Sequence, residues 1–157
     1  MIFISKDKLE ADLKLFCLRI FLAFFGWLTL PVGVLAQIQL ITTDEASRPD
    51  AQITLTRAIT RGPSIQLASP RDVEGAGFHF KVMFEARGGA TIDGKSLKIE
   101  YLKEPILDIT QRFSSHLRDN RLEITQAKVP PGRHALRLTV KDSEGRQSSQ
   151  LIQLQAH

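Results

Sequence analysis

The segment VPPGRHALRLTVKDSEGR, Val129–Arg146, joins a proline-glycine corner, an alternating apolar run and a polar turn. Leu136, Leu138 and Val140 alternate with polar residues, which is typical of a strand that is buried on one face only. The PPG corner is expected to turn the chain from one sheet to another, and Asp142–Gly145 to form a hairpin loop. The segment therefore predicts a strand and a hairpin of an all-β protein.

The same alternation recurs along most of the chain. Its clearest instance is FHFKVMFEA, in which Phe78, Phe80, Val82, Phe84 and Ala86 share one face. Turn signals follow this segment at Gly88-Gly89 and Asp93-Gly94. Further strands are predicted in SIQLAS (64–69), SLKIEYL (96–102), ILDIT (106–110), RLEITQA (121–127), RHALRLTV (133–140) and SQLIQLQA (149–156).

About seven short strands, separated by turn signals and with no long helix, favour an antiparallel β-sandwich. The half-buried alternation argues against a parallel sheet, whose strands are apolar throughout. QRFSSHLRDN (111–120) is expected to contain a helical turn. TTDEASRPDA (42–51) reads as a spacer or a single helical turn capped by Thr43, and QITLTRA (52–58) as a possible edge strand.

Residues 1–36 resemble a secretory signal peptide in physical character. Apolar residues Ile20–Leu30 follow a basic leader, Pro31 and Gly33 break the helix, and Ala36 supplies a small residue for cleavage. An uncleaved anchor is the alternative, although Ile20–Ala36 is shorter than the ~20 residues that span a bilayer. The basic leader residues are Lys6, Lys8, Lys14 and Arg19.

Cleavage at Ala36 divides the chain into a signal peptide (1–36), an N-terminal spacer with a possible edge strand (37–63) and a β-sandwich (64–157). The only cysteine, Cys17, leaves with the signal peptide, so the exported domain cannot rely on disulfides. A lipid anchor on Cys17 is disfavoured, because Phe16 precedes it where a small residue is needed. The net charge of +4 is too mild to indicate a nucleic-acid or anionic-membrane partner.

The corner and hairpin also carry a family resemblance. They resemble the last hairpin of bacterial immunoglobulin-like and fibronectin type III-like domains, in the pattern Pro131, Gly132, His134, Leu136, Leu138, Val140, Asp142 and Gly145. The wider layout, including ITRGPSIQL, FHFKVMFEARGGATID, SLKIEYLKEP and DIT, resembles short exported bacterial proteins of uncharacterised activity over most of residues 58–155. The resemblance implies an immunoglobulin-like fold and export, but it implies no activity.

His134 occupies a position that often holds tyrosine in such domains, where the hydroxyl bonds to the backbone upstream. We expect its imidazole either to make this contact or to face solvent. The core tryptophan and paired cysteines of antibody-type domains are absent from the part of the chain after the signal segment, which excludes an antibody-like member.

Candidate chemistry is sparse. His79, His116, His134 and His157 lack the spacings that bring two imidazoles to one metal. Asp93, Asp108, Asp119 and Asp142 are expected to form turns rather than a calcium site, since no dense D-x-D-x-D run surrounds them.

Ser114, Ser115 and His116 lack the strand-turn-helix context of a hydrolase nucleophile. Four arginines are candidates for a basic patch that binds anionic glycans or lipid head groups, but we expect them to form a solvated surface instead. They are Arg57, Arg61, Arg71 and Arg87.

These observations predict a non-catalytic exported module that binds another envelope protein, in the periplasm or outside the cell. The sequence predicts no catalytic, metal or cofactor site, no nucleic-acid partner and no stable membrane insertion after cleavage. A glycan- or ligand-binding module is the alternative, with Tyr101, Phe113 and Arg112 as its only plausible contact set. An enzyme is the third and weakest hypothesis.

Overall fold

Ten strands and two single-turn helices form two sheets in the computed structural model, which describes residues 37–52 and 61–157. In chain order the elements are β1 (Ile38–Gln39), α1 (Thr43–Ala46), β2 (Ser64–Leu67), β3 (Asp72–Val73), β4 (Ala76–Glu85), β5 (Ile92–Tyr101), β6 (Leu107–Asp108), α2 (Thr110–Ser114), β7 (Leu117–Arg118), β8 (Arg121–Lys128), β9 (Gly132–Asp142) and β10 (Gln147–Ala156).

The first sheet has the strand order β1-β8-β4-β2, with β7 also paired to β8, and the second has the order β3-β10-β9-β5-β6. The prediction of an all-β fold with two sheets is confirmed. The prediction of purely antiparallel sheets is wrong, because β1 pairs with β8 and β3 with β10 in parallel. β1 and β3 each have only two residues, which is too few for an alternating pattern to identify them in the sequence.

The predicted alternation places the core correctly. Phe80 and Val82 of β4, and Leu136 and Leu138 of β9, are fully buried in one cluster that both sheets contribute to. The PPG corner lies between β8 in the first sheet and β9 in the second, as expected. The hairpin that follows joins β9 to β10 in antiparallel register over the length of β10.

Two local predictions need correction. Asp93-Gly94 is not a turn but lies inside β5, where the register against β9 shifts between Asp93 and Lys98. The helical turn in the amino-terminal segment is capped by Thr42 rather than Thr43. Thr42 accepts from the Glu45 amide, and the Glu45 carboxylate accepts from the Thr42 amide, so the two form a capping box.

The predicted signal peptide and nearly all of the predicted edge strand in residues 52–58 lie outside the described residues. No helix in the described part of the chain has the length and hydrophobicity to cross a membrane.

The segment 37–52 packs against the two sheets. Leu40 and Ile41 are completely buried in the core. The Arg112 guanidinium of α2 donates to both oxygens of Glu45, at 2.6 and 2.8 Å, and to the Leu40 carbonyl at 2.7 Å. Asp50 forms a 2.7 Å ion pair with Lys103, which is itself buried. Apolar burial and two ion pairs therefore hold this segment in place.

His134, only 2% exposed, makes the backbone contact that was one of the two expected alternatives. Its Nε2 lies 2.7 Å from the Pro130 carbonyl, four residues upstream. A carbonyl only accepts, so Nε2 carries the proton and Nδ1 accepts from the Tyr101 hydroxyl at 2.9 Å. Burial lowers the pKa of His134 and raises the pKa of Tyr101 to about 12, so both groups are neutral at pH 7.

Replacing His134 by phenylalanine should lower the free energy of unfolding by about 2 kcal/mol, because two buried polar groups lose their partner. Y101F is the matched variant and should cost about 1 kcal/mol, since it leaves only the imidazole Nδ1 unpaired. The double variant H134F/Y101F should cost less than the sum of the two. Urea denaturation measures all three, and a wild-type midpoint for H134F would contradict the role of the imidazole.

The Glu45–Arg112 pair predicts a pH dependence of stability. The hydrogen bonds from Arg112 lower the pKa of Glu45 from its ordinary 4.5 to about 2. The folded state therefore binds the proton more weakly than the unfolded state, and the contribution is complete above about pH 4.5 and disappears as the pH falls through about 2. E45Q preserves the shape of the side chain and removes the charge. Thermal melting should show a wild-type advantage over E45Q that shrinks over this window, whereas a constant difference would argue against the pair.

Candidate interaction surface

The three residues expected to contact a ligand make contacts within the protein instead. Tyr101 and Phe113 are completely buried, and the Phe113 ring packs edge-on against Phe80 with 5.8 Å between ring centroids. The Arg112 guanidinium binds Glu45 and the backbone of Leu40. None of these side chains is therefore available to stack on or bind a ligand.

The four histidines are dispersed over the structure. His79 is exposed on β4 and lies 2.9 Å from the Glu123 carboxylate, whereas His134 is buried at the corner. His116 precedes β7, and His157 follows β10. Within residues 37–52 and 61–157, no group of three His, Cys, Asp or Glu side chains is placed to hold a metal ion.

Three of the four candidate aspartates, Asp108, Asp119 and Asp142, lie at turns, which confirms that prediction for them. Asp93 lies within β5, where its carboxylate accepts from the Lys95 amide, and the Asp108 carboxylate accepts from the Thr110 amide. The Asp142 side chain is completely buried and accepts from the amides of Glu144 and Arg146, and from the Arg146 guanidinium at 2.7 Å. The Arg146 interaction lowers the pKa of Asp142 despite its desolvation, which opposes this shift.

The serines and arginines considered above do not converge either. The Ser114 hydroxyl donates to the Gln111 carbonyl inside α2. Arg71 precedes β3 in the second sheet, and Arg87 follows β4 in the first. Arg57 lies outside the described residues, so the structure describes no four-arginine patch.

A different set of side chains lies together on the outer face of the first sheet. Strand register places Arg118 of β7 opposite Arg121 of β8, Arg121 opposite Met83 of β4, and Met83 opposite Gln66 of β2. Directly opposed residues share one face of a sheet, so these four side chains form a line across four strands. We call them the cross-sheet row.

The cross-sheet row is exposed along its length. Met83 is 46% exposed, which makes it one of two large apolar side chains with high exposure in the described part of the chain. Arg118, Arg121 and Gln66 are also exposed. Neither guanidinium forms an ion pair or a hydrogen bond with another described residue. The row therefore combines an apolar side chain with two cations that form no ion pair among the described residues.

The neighbouring row on the same face is neutralised. Glu123 of β8 lies opposite Lys81 of β4. Its carboxylate is 2.9 Å from the His79 ring and 3.8 Å from the Lys81 ammonium. Glu123 therefore has nearer cationic or hydrogen-bonding partners than the arginines of the cross-sheet row.

The turn between β7 and β8 fixes the two arginines side by side. Asp119 and Asn120 both have positive φ, 48° and 60°, as the two-residue type I′ hairpin requires. The Asn120 carbonyl accepts from the Phe84 amide at 2.9 Å, which ties the turn to β4. Sequence reasoning missed this hairpin, although the RDNR pattern contains an Asp-Asn pair that tolerates the left-handed region.

A recess of about 410 Å³ lies beside the turn. It is lined by Ser115, His116, Arg118, Asp119, Arg121 and Glu123. It opens next to the arginine end of the cross-sheet row, so the two guanidiniums border both the flat face and the recess.

In comparisons with known proteins, no protein-family model, no curated protein and no solved structure matches the chain.

Proposed function

We propose that the chain is a non-catalytic, exported immunoglobulin-like module that binds another protein of the cell envelope through the cross-sheet row. The observation that carries this proposal is the row itself. It places an exposed methionine, an amide and two arginines without partners among the described residues on one face of a sheet. Methionine and arginine are enriched in protein interfaces, and an exposed methionine adapts its shape to a partner.

The strand order supports the immunoglobulin-like part of the proposal. In that fold, strands A, B, E and D form one sheet and strands C, F and G the other. Here β2, β4, β8 and β7 are adjacent in the first sheet, and β5, β9 and β10 in the second. This correspondence treats β2, β4 and β5 as strands A to C, β7 as D, and β8 to β10 as E to G. His134, the third residue of β9, bonds to the backbone upstream as the corner tyrosine does at the start of strand F.

The proposal of a non-catalytic role rests on the contacts that the potentially reactive side chains make. The Tyr101–His134 pair is buried and neutral, and the Ser114 hydroxyl bonds within its own helical turn. A role in binding another protein requires an accessible surface rather than an activated side chain, and the cross-sheet row supplies one.

The proposal of export rests on the signal-peptide character of residues 1–36 in the sequence. Cleavage after Ala36 would leave the buried Leu40 and Ile41 in the mature chain. The mature module keeps the strand β1 and the ion pair between Glu45 and Arg112.

The protein recovered from its own cells should therefore begin at Gln37. Intact-mass measurement of the periplasmic and extracellular fractions tests this directly. A full-length mass in the membrane fraction would favour the uncleaved anchor and contradict the proposed export as a free module.

Interaction through the cross-sheet row is testable by photo-crosslinking in the cell from which the sequence comes. A photoreactive amino acid at Met83 or Gln66 should give a discrete protein adduct. The same residue at Ser149, which is exposed on the second sheet, is the control and should give none. Absence of an adduct at Met83, or equal adducts at all three positions, would contradict the proposed surface.

A further inference from the structure

Arg118 and Arg121 form a like-charge pair that the fold does not compensate. They are directly opposed across a two-residue hairpin, and directly opposed like charges destabilise a β-ribbon. The acids nearest the pair are Asp119 in the turn and Glu123, two residues along β8 from Arg121, and both line the recess together with the two arginines. Neither forms an ion pair with either guanidinium, and the Glu123 carboxylate contacts His79 and Lys81 instead. The pair therefore remains open to an external anion.

The geometry of the pair suits carboxylates. Each guanidinium presents a planar fork of donors that matches both oxygens of a carboxylate. The hairpin register holds the Cβ atoms of directly opposed residues about 5 Å apart, so one acidic side chain can contact both forks and two can each occupy one.

A cationic partner would be repelled by the two guanidiniums, and a wholly apolar partner would bury them without hydrogen-bond acceptors. Met83 flanks Arg121 on one side, and the Glu123–Lys81 row flanks it on the other. A partner that fits this surface carries acidic side chains for the arginines and an apolar group for Met83.

We propose that the arginine end of the cross-sheet row binds an acidic segment of the partner protein, with carboxylates on Arg118 and Arg121 and an apolar side chain on Met83. This inference rests on the proposed function and adds the chemistry of the partner to it.

The probe is a synthetic acetyl-hexaglutamate amide, with hexaglutamine as its neutral control, titrated into the mature protein labelled with ¹⁵N. We expect shifts confined to the amides of β7, β8 and their turn and to the Arg118 and Arg121 Nε–H signals. The affinity should fall as salt is raised, because the pair is exposed. Hexaglutamine should leave the spectrum unchanged.

R118Q/R121Q should lower the affinity for hexaglutamate about tenfold, as expected for the loss of two exposed guanidinium–carboxylate contacts that are each worth a few-fold. R133Q/K141Q is the matched control, since it removes the same charge from exposed positions on β9 in the other sheet. It should bind like wild type. R118Q/R121Q should melt no lower than wild type, because it removes a like-charge repulsion.

Three outcomes would overturn the inference: no binding of hexaglutamate, equal loss in the two double variants, or inorganic phosphate binding at the same amides as tightly as the peptide. The last would assign the pair to a small oxyanion instead. The inference and the proposed function fail separately. An adduct at Met83 that persists in R118Q/R121Q, with a crosslinked partner peptide that lacks Asp and Glu, would leave the interaction surface standing and remove only the acidic partner.

Discussion

The hydrogen bonds of one buried imidazole fix the start of β9 where the chain crosses from the first sheet to the second. A buried polar group must find partners within the protein, and His134 finds one four residues upstream and the other on a different strand. Its Nε2 proton binds the Pro130 carbonyl in the crossing between the sheets, and its Nδ1 accepts from the Tyr101 hydroxyl at the end of β5. The start of β9 is therefore fixed both to the corner that precedes it and to its neighbour in the second sheet.

The amino-terminal segment joins the fold at the same place. Tyr101 is followed by Leu102, whose carbonyl accepts from the Ala51 amide, and by Lys103, which pairs with Asp50. The Lys103 ammonium also lies 5.7 Å from the centroid of the Tyr101 ring, a cation–π contact. The end of β5 thus connects the corner, the core and the segment that precedes the sheets.

The sequence predicts those parts of this fold that depend on local periodicity. Phe78 to Phe84 and Leu136 to Val140 alternate over enough residues to identify β4 and β9 and the faces they bury. Strands of two residues such as β1 and β3 carry no period, and their parallel pairing depends on β8 and β10, which are distant in the sequence. Asp93-Gly94 carried a genuine turn signal, but pairing with β9 placed it inside a strand.

The candidate surface was beyond sequence reasoning for a related reason. Aromatic residues together with an arginine suggest a ligand site, yet both Tyr101 and Phe113 are buried in the core. The cross-sheet row exists only in the register of four strands that are distant in sequence. That register is strict, because a one-residue slip of β8 against β4 would turn Leu122 outward and Arg121 into the core. The core thus fixes the position of Arg121, and the type I′ turn fixes that of Arg118 opposite it. Stability alone would favour a neutral or acidic residue at one of these positions, so the like-charge pair is a feature that the fold itself does not require.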